Sequence, residues 1–217
     1  MAMKNDNPTC IKTPFTNTET DHGAAFWNNQ YILNTTAWDL GQVSPPLKQY
    51  IDQLTNKGLR ILIPGCGNTY EAEYLLQHGF TNITLIDIAP ELVGRLKNKF
   101  ASNTNINIIS GDFFEHIGEY DLILEQTFFC AIYPALRRNY VTKMTDLLVV
   151  NGKLAGVLFN RVFEQKGPPF SGTKQEYIHF FENDFHLKIL DDCHNSSAKR
   201  KDTELFIIFQ KKENTLS

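Results

Sequence analysis

The segment Pro64-Gly65-Cys66-Gly67-Asn68 follows directly on an apolar run, Arg60-Ile61-Leu62-Ile63. Glycines at 65 and 67 permit a tight turn and a close backbone approach to a ligand ahead of a helix N-terminus. Asp87 ends a second apolar run, 22 residues after Gly65. An acid at about that distance, on the second strand of a βαβ unit, reaches the ribose hydroxyls of a nucleotide-like cofactor. Position 70, where the dinucleotide fingerprint would carry its third glycine, is Tyr. That argues against a pyrophosphate drawn up to the helix N-terminus and favours a cofactor without one. Asp112-Phe113 closes a third apolar run. An aspartate there can accept from an adenine amino group while the ring of Phe113 packs on the base, and a plain loop cap is the competing reading.

No catalytic triad emerges. Cys66 and Cys130 read as small buried residues rather than nucleophiles. The four cysteines form no C-x-x-C, and His22, His78, His116, His179, His186 and His194 show no metal-ligand spacing, so no metal is expected. The run Lys199-Arg200-Lys201 reads as a solvated hairpin tip.

The elements that must position these residues alternate along the chain. Ser44-Pro45-Pro46 is a helix start. Leu47, Tyr50, Ile51 and Leu54 then predict a helix over 46–56, with Gly58 as its stop. Strands are expected at 60–65, 82–88, 106–110, 120–126 and 153–160, with helices at 70–78, 90–100 and 135–149, and Asn151-Gly152 turning the chain into the fifth strand. Thr173 with Glu176 forms a capping box for a helix over 174–183. Residues 185–192 and 204–211 finish as two antiparallel neighbours. Near-continuous apolar strands separated by helices predict a doubly wound, Rossmann-like α/β sheet of seven strands, mostly parallel with one antiparallel strand at its end.

Composition sets the outer limits. Apolar residues at 42% and charged residues at 21% suffice for a sizeable core and exclude a disordered chain. A net charge of −3 without a long basic run gives no footprint for nucleic acid. No stretch approaches 18 apolar residues, and the N-terminal region is polar, so neither a membrane span nor a secretory leader is expected. Free thiols fit a reducing, cytoplasmic setting. Residues 1–22, rich in Asn, Thr and Pro, read as a flexible arm. Residues 23–217 read as one domain, of which 23–45 carry both tryptophans and form an aromatic cover over the site.

These residues together resemble the thiopurine methyltransferase-like family, most of all its branch of small thiol and halide methyltransferases. The resemblance rests on Trp27, Tyr31, AWDLGQ (37–42), IPGCGNTYE (63–71), LIDI (85–88), GDFF (111–114), YDLILEQTFFCAI (120–132) and GPPFSGTKQEY (167–177), and it spans residues 26–211. It implies a class I methyltransferase fold with S-adenosylmethionine as donor. The implied cofactor contacts are Trp27, Tyr31, Trp38, Gly65, Cys66, Gly67, Asp87, Ile88, Asp112 and Phe113. Tyr31 stands where the family usually has a third tryptophan. Gln126 stands where relatives often have Tyr and is a further expected contact. Aromatic faces suit a sulfonium cation, at about 0.5–2 kcal/mol of cation–π attraction.

The implied reaction is methyl transfer, by in-line displacement, to a small-molecule thiol, hydrosulfide or halide, with the chain favoured as a monomer. Such nucleophiles need alignment and a dry wall more than a base. Phe128, Phe129, Phe159 and Phe170 are the expected wall. Glu125, at the end of the fourth strand, is the candidate acid-base residue, set against a purely structural role. The rival acceptor is an aromatic or heterocyclic thiol. The rival classes are a nicotinamide-dependent oxidoreductase and a non-catalytic cofactor-binding module.

Overall fold

A computed structural model describes residues 22–213. The strands are β1 (Ile61–Pro64), β2 (Ile83–Asp87), β3 (Ile106–Ser110), β4 (Tyr120–Gln126), β5 (Leu148–Phe159), β6 (Phe185–Asp192) and β7 (Glu204–Lys211). They form one sheet in the order β3-β2-β1-β4-β5-β7-β6. The first five are mutually parallel. β7 runs antiparallel to both β5 and β6. The reversed strand therefore lies inside the sheet, not at its end as the sequence suggested. The helical crossover after β5 carries β6 one place too far, and the short return through residues 193–203 fills the gap with β7.

Strands β1 and β2 are buried at every position because helices cover both faces. On one face, α2 (Pro45–Asp52), α3 (Tyr70–Gln77) and α4 (Pro90–Lys99) bury Leu47, Ile51, Leu75, Leu92 and Leu96 against β1 and β2. On the other, α5 (Arg137–Leu147) and α6 (Lys174–Phe181) bury Tyr140, Met144, Tyr177 and Phe181 against β4, β5 and β7. A further helix, α1 (Ala24–Ile32), lies within the aromatic segment. No helix among the described residues is long and apolar enough to cross a membrane.

Most expected limits hold or shift by one or two residues, and two differ by more. The helix expected over 46–56 stops at Asp52, because Asn56 folds its side chain onto Gly58 N (3.0 Å) and offers the backbone a turn in place of another helical step. The Ser44 side chain makes no cap; its carbonyl instead takes Lys48 N at 2.8 Å. At the other end of the sheet, β5 starts directly after α5. Tyr120 pairs with Leu148 and Leu122 with Lys153, so Asn151 (φ +64°) and Gly152 form a bulge within the strand rather than a turn before it. Thr173 does accept from Glu176 N, as the capping box requires.

The central contact of the sheet, β4 against β5, tolerates no side chain at one point. Gly156 pairs with Glu125, and a Cβ there would lie 2.0 Å from the Glu125 carbonyl oxygen. The obstacle is backbone, so no rotamer change relieves it. Gly156→Ala should cost about 2–3 kcal/mol of folding free energy, within the range of overpacked cores. Urea denaturation checks this, and a change below about 0.5 kcal/mol, the level of an indifferent surface substitution, would show that the strands separate easily.

Candidate active site

The strand order reverses between β1 and β4, and the cavity opens at the carboxyl ends of the strands there, where such sheets bind ligands. Its volume is about 570 Å³, within the usual range of small-molecule sites. β1 contributes the glycine turn, in which Gly65 and Gly67 have φ of +55° and +52°. Gly65 needs more than its dihedral freedom: a Cβ would fall 2.2 Å from Cδ2 of Phe128, whose ring occupies that space.

Asp87, at the end of β2, is buried on the cavity wall. Its Oδ2 accepts from Gly67 N (3.3 Å) and its Oδ1 from Ala89 N (3.0 Å). Burial pushes the carboxyl above its usual range, and these N–H donors act against that. Ile88 lines the cavity beside it. Asp112 and Phe113 also line it, after β3, and Asp112 Oδ1 accepts from Phe114 N at 2.9 Å. Asp112 is thus a loop cap and a cavity residue at once. Cys66 lines the turn, and its thiol is pushed well up by burial and then by the Asp87 charge, which suits a packing group rather than a nucleophile.

The aromatic segment closes the cavity from the N-terminal side. Trp27 and Trp38 meet edge to face at 5.5 Å, and Tyr31 meets Trp38 at 6.0 Å. All three line the cavity. Burial, and then the Asp87 charge, keep the Tyr31 phenol well above its usual range. Polar bonds fix the segment to the sheet. Asn28 Oδ1 accepts from Glu91 N (2.8 Å), and Tyr31 O accepts from Arg95 (3.3 Å). Asp39 accepts from Gly41 N (2.7 Å), from the Tyr70 hydroxyl (3.3 Å) and from Asn68 of the glycine turn. Arg200 donates to Trp38 O (2.6 Å) and pairs with Glu204 (3.2 Å), both side chains being buried. Arg200 is therefore not part of a solvated hairpin tip. Its guanidinium covers the Phe159 ring at 5.4 Å and joins the aromatic segment to β7.

The remaining wall comes from the ends of β4 and β5. Phe128 and Phe159 line it as expected, with Ile132, Phe163, Pro168 and Pro169. Gln126 lines it too, and its amide Nε2 and Oε1 are buried without a partner among the described residues. Phe129 does not reach the cavity. It is 1% exposed and turned into the core, under Tyr140 (5.0 Å) and Tyr177 (5.5 Å). Phe170, expected in the wall, does not line the cavity either; its ring packs against Tyr133 at 5.7 Å.

Glu125, expected to face the cofactor, is fully buried and absent from the cavity wall. Its carboxylate accepts from Phe128 N, Phe129 N and the Tyr140 hydroxyl. Burial raises it to about 7 against the pull of these three donors. A group so placed holds backbone and cannot touch a substrate in this arrangement. His22 and Arg161, which were not expected in the wall, and Lys199, read as part of a solvated hairpin tip, all line the cavity. His22 packs edge-on against Phe26 at 4.4 Å. Nothing local marks them, because each is brought in by a loop. Of residues 1–22, only His22 falls within the described residues.

Comparison with known proteins bears on the family and the fold. The model of the thiopurine S-methyltransferase family matches residues 22–214. A probable thiol methyltransferase 2 from Arabidopsis thaliana is 29% identical over 162 residues, covering 72% of this chain and 71% of that one. Thiocyanate methyltransferase 1 from the same plant is 24% identical, with 66% and 65% covered. A thiopurine S-methyltransferase from Acinetobacter baylyi is 24% identical, with 77% and 87% covered. Among solved structures, a 1,6-didemethyltoxoflavin N1-methyltransferase from Burkholderia thailandensis, with S-adenosylhomocysteine bound, superposes with a TM-score of 0.67 at 17% identity, covering 88% of this chain and 87% of that one. A TehB-like, S-adenosylmethionine-dependent methyltransferase from Corynebacterium glutamicum gives 0.62 at 16%, with 88% and 98% covered.

The Arg200–Glu204 pair yields a test of how the aromatic segment is held. Arg200→Met strands a buried carboxylate and frees Trp38 O. It should cost about 3–5 kcal/mol, whereas Arg200→Met with Glu204→Leu should recover most of that loss. Thermal and urea denaturation of both variants decide it. A single variant as stable as the parent would mean that the pair is not buried in solution.

Proposed function

The chain belongs to the thiopurine S-methyltransferase family and is an S-adenosylmethionine-dependent methyltransferase, and on that premise we propose that it methylates a small soft nucleophile: a thiol, hydrosulfide, thiocyanate or halide. The family sets aside the nicotinamide-dependent rival. The residues fit the cofactor. The glycine turn offers side-chain-free backbone, Asp87 offers a buried carboxylate at the end of β2, and three aromatic side chains stand over the same space. Asp87 is assigned to the ribose hydroxyls. Asp112 is assigned to the adenine amino group, with Ile88 and Phe113 packing on the base. Trp27, Tyr31 and Trp38 are assigned to the sulfonium side, where the partnerless Gln126 amide also lies. When bound, S-adenosylmethionine supplies a methyl group on a sulfonium centre, open to in-line displacement.

The observation that carries the acceptor assignment is the wall around Phe128. It is built of Phe128, Ile132, Phe159, Phe163, Pro168 and Pro169, and the nearest strand-end carboxylate, Glu125, is turned into the core. Such a wall strips water from an anion, and no carboxylate is among these six wall residues. That favours acceptors already ionised, or ionised easily, at neutral pH. Arg161 and Lys199, both exposed, bring positive charge to the same cavity and draw anions towards it. A flat aryl thiol is the second reading, favoured by the aromatic rings of Phe128, Tyr133 and Phe159 that line the cavity.

Incubation with S-adenosylmethionine and, separately, iodide, thiocyanate, hydrosulfide and alkyl or aryl thiols, with headspace and liquid analysis of methylated products, should show turnover of at least one soft anion. Turnover of aryl thiols alone would replace the first reading by the second. Tight S-adenosylhomocysteine binding with no product from any acceptor would leave a non-catalytic module. Asp87→Ala should weaken S-adenosylhomocysteine binding roughly 10–100-fold, as expected for lost hydrogen bonds to a charged group. Quenching of Trp27 and Trp38 reads this, and an unchanged affinity would overturn the assignment of Asp87.

A further inference from the structure

Although Glu125 is hidden from the cavity, it grips the turn that shapes the cavity wall. Its Oε1 accepts from Phe128 N (2.7 Å) and Phe129 N (2.9 Å), and its Oε2 from the Tyr140 hydroxyl (2.5 Å). The turn needs a grip. Thr127 has φ of +58°, an uncommon conformation for a β-branched residue. Phe128 then lies over Gly65 so closely that no Cβ could stand there, and meets Phe113 at 5.1 Å. Phe129 takes the opposite direction, into the core, where the Arg137 guanidinium covers its ring at 4.9 Å. One carboxylate thus fastens one ring to the cavity and the next to the core, and ties both to α5. The strength of the fastening depends on charge. An ionised carboxylate accepts at both oxygens through charge-assisted bonds, roughly twice as strong as neutral ones, whereas a protonated one must use an oxygen as donor.

We infer that Glu125 is a positioning residue for methyl transfer that works in its ionised form, holding the Thr127–Phe129 turn, and through Phe128 the acceptor wall, in the reacting arrangement. The inference rests on the assignment of Phe128 to the acceptor wall made above. The groups around Glu125 are Cys130 on its own turn, Tyr140 and Arg137 from α5, Tyr177 from α6, and Glu204 of β7 with its partner Arg200. Burial pushes the Cys130 thiol up to about 12 and the phenols of Tyr140 and Tyr177 well up, so these stay neutral. Glu125 itself is brought by burial to about 7, within the working range.

The test uses iodide or thiocyanate, whichever is turned over, because both remain anionic across about pH 5.5–9, so that the acceptor contributes no ionisation, and the comparison with Glu125→Gln separates Glu125 from the cofactor's own amino group. The wild-type kcat should rise through one ionisation near pH 7, the value burial gives Glu125, and then level off. Glu125→Gln should lack that step and run at about a tenth of the plateau, the scale of one lost positioning contact, with the KM for S-adenosylmethionine changed less than about threefold. Tyr140→Phe removes a donor that favours the ionised form, so its step should move to higher pH. Without any acceptor, NMR amide exchange should show Phe128 and Phe129 gaining protection through the same pH range in the wild type and not in Glu125→Gln. An unchanged step in Glu125→Gln, or amide protection indifferent to the substitution, overturns the inference. Protection that follows Glu125 while no soft anion is methylated upholds the grip and overturns the acceptor reading instead.

Discussion

The site depends on one absence, the missing side chain at Gly65. The ring of Phe128 fills the space where a Cβ would be, so the glycine turn after β1 and the turn after β4 can lie against each other. Strand order makes these turns neighbours, since β1 and β4 pair across the point where the sheet reverses direction. Were the two loops held apart, the cavity would be a wide cleft. Brought together, they give it a bottom made of backbone on one side and an aromatic ring on the other. A second absence supports the first: Gly156 lets β5 press onto the Glu125 backbone and so fixes where β4 ends.

The cover over this floor is fixed by polar bonds as well as by its rings. A buried ion pair such as Arg200–Glu204 adds little net stability, because desolvating two charges offsets most of their attraction. What it provides is a defined place for the Trp38 backbone, since the guanidinium reaches that carbonyl while committed to Glu204. Asp39 does the same at the other edge, joining Gly41 to Asn68 and Tyr70. The aromatic segment is thus registered against both β1 and β7, and its tryptophans face the glycine turn rather than sliding over it.

This division explains what could be read from sequence alone. Strands β3, β4, β6 and β7 fall on the residues expected, because runs rich in β-branched and aromatic residues, whether half-exposed at the edge like β3 and β6 or largely buried like β4, are punctuated by turn residues at their limits. Asp87 and the glycine turn were legible for the same reason, being tied to strand ends by chain connectivity. Helix α1 was not, because AAFWNNQYI carries no clear apolar stripe and is held by contacts to α4. The facing of Glu125, Phe129 and Arg200 was not legible, Glu125 having been open between an acid-base and a structural role. Adjacent residues at a strand end face opposite ways, so which of Phe128 and Phe129 meets the cavity depends on the positive φ of Thr127. Whether a carboxylate or guanidinium points to solvent or core depends on partners fifteen or more positions away, such as Tyr140 and Trp38.

The use of acids in this site bears on its chemistry. Asp39, Glu71, Asp87, Asp112 and Glu125 each accept from a backbone N–H, at Gly41, Ser44, Gly67 with Ala89, Phe114, and Phe128 with Phe129. Five carboxylates in or behind the wall therefore serve as fasteners for turns, short helical turns and helix starts. A loop cradle needs such fasteners, because its N–H groups have no ladder to join and lose free energy if left buried and unpaired. A carboxylate so engaged is a poor shuttle for protons, since releasing its donors would loosen the loop it holds. An enzyme that commits its acids in this way is suited to acceptors that arrive without a proton to lose. Soft anions meet that condition at neutral pH, and alcohols do not.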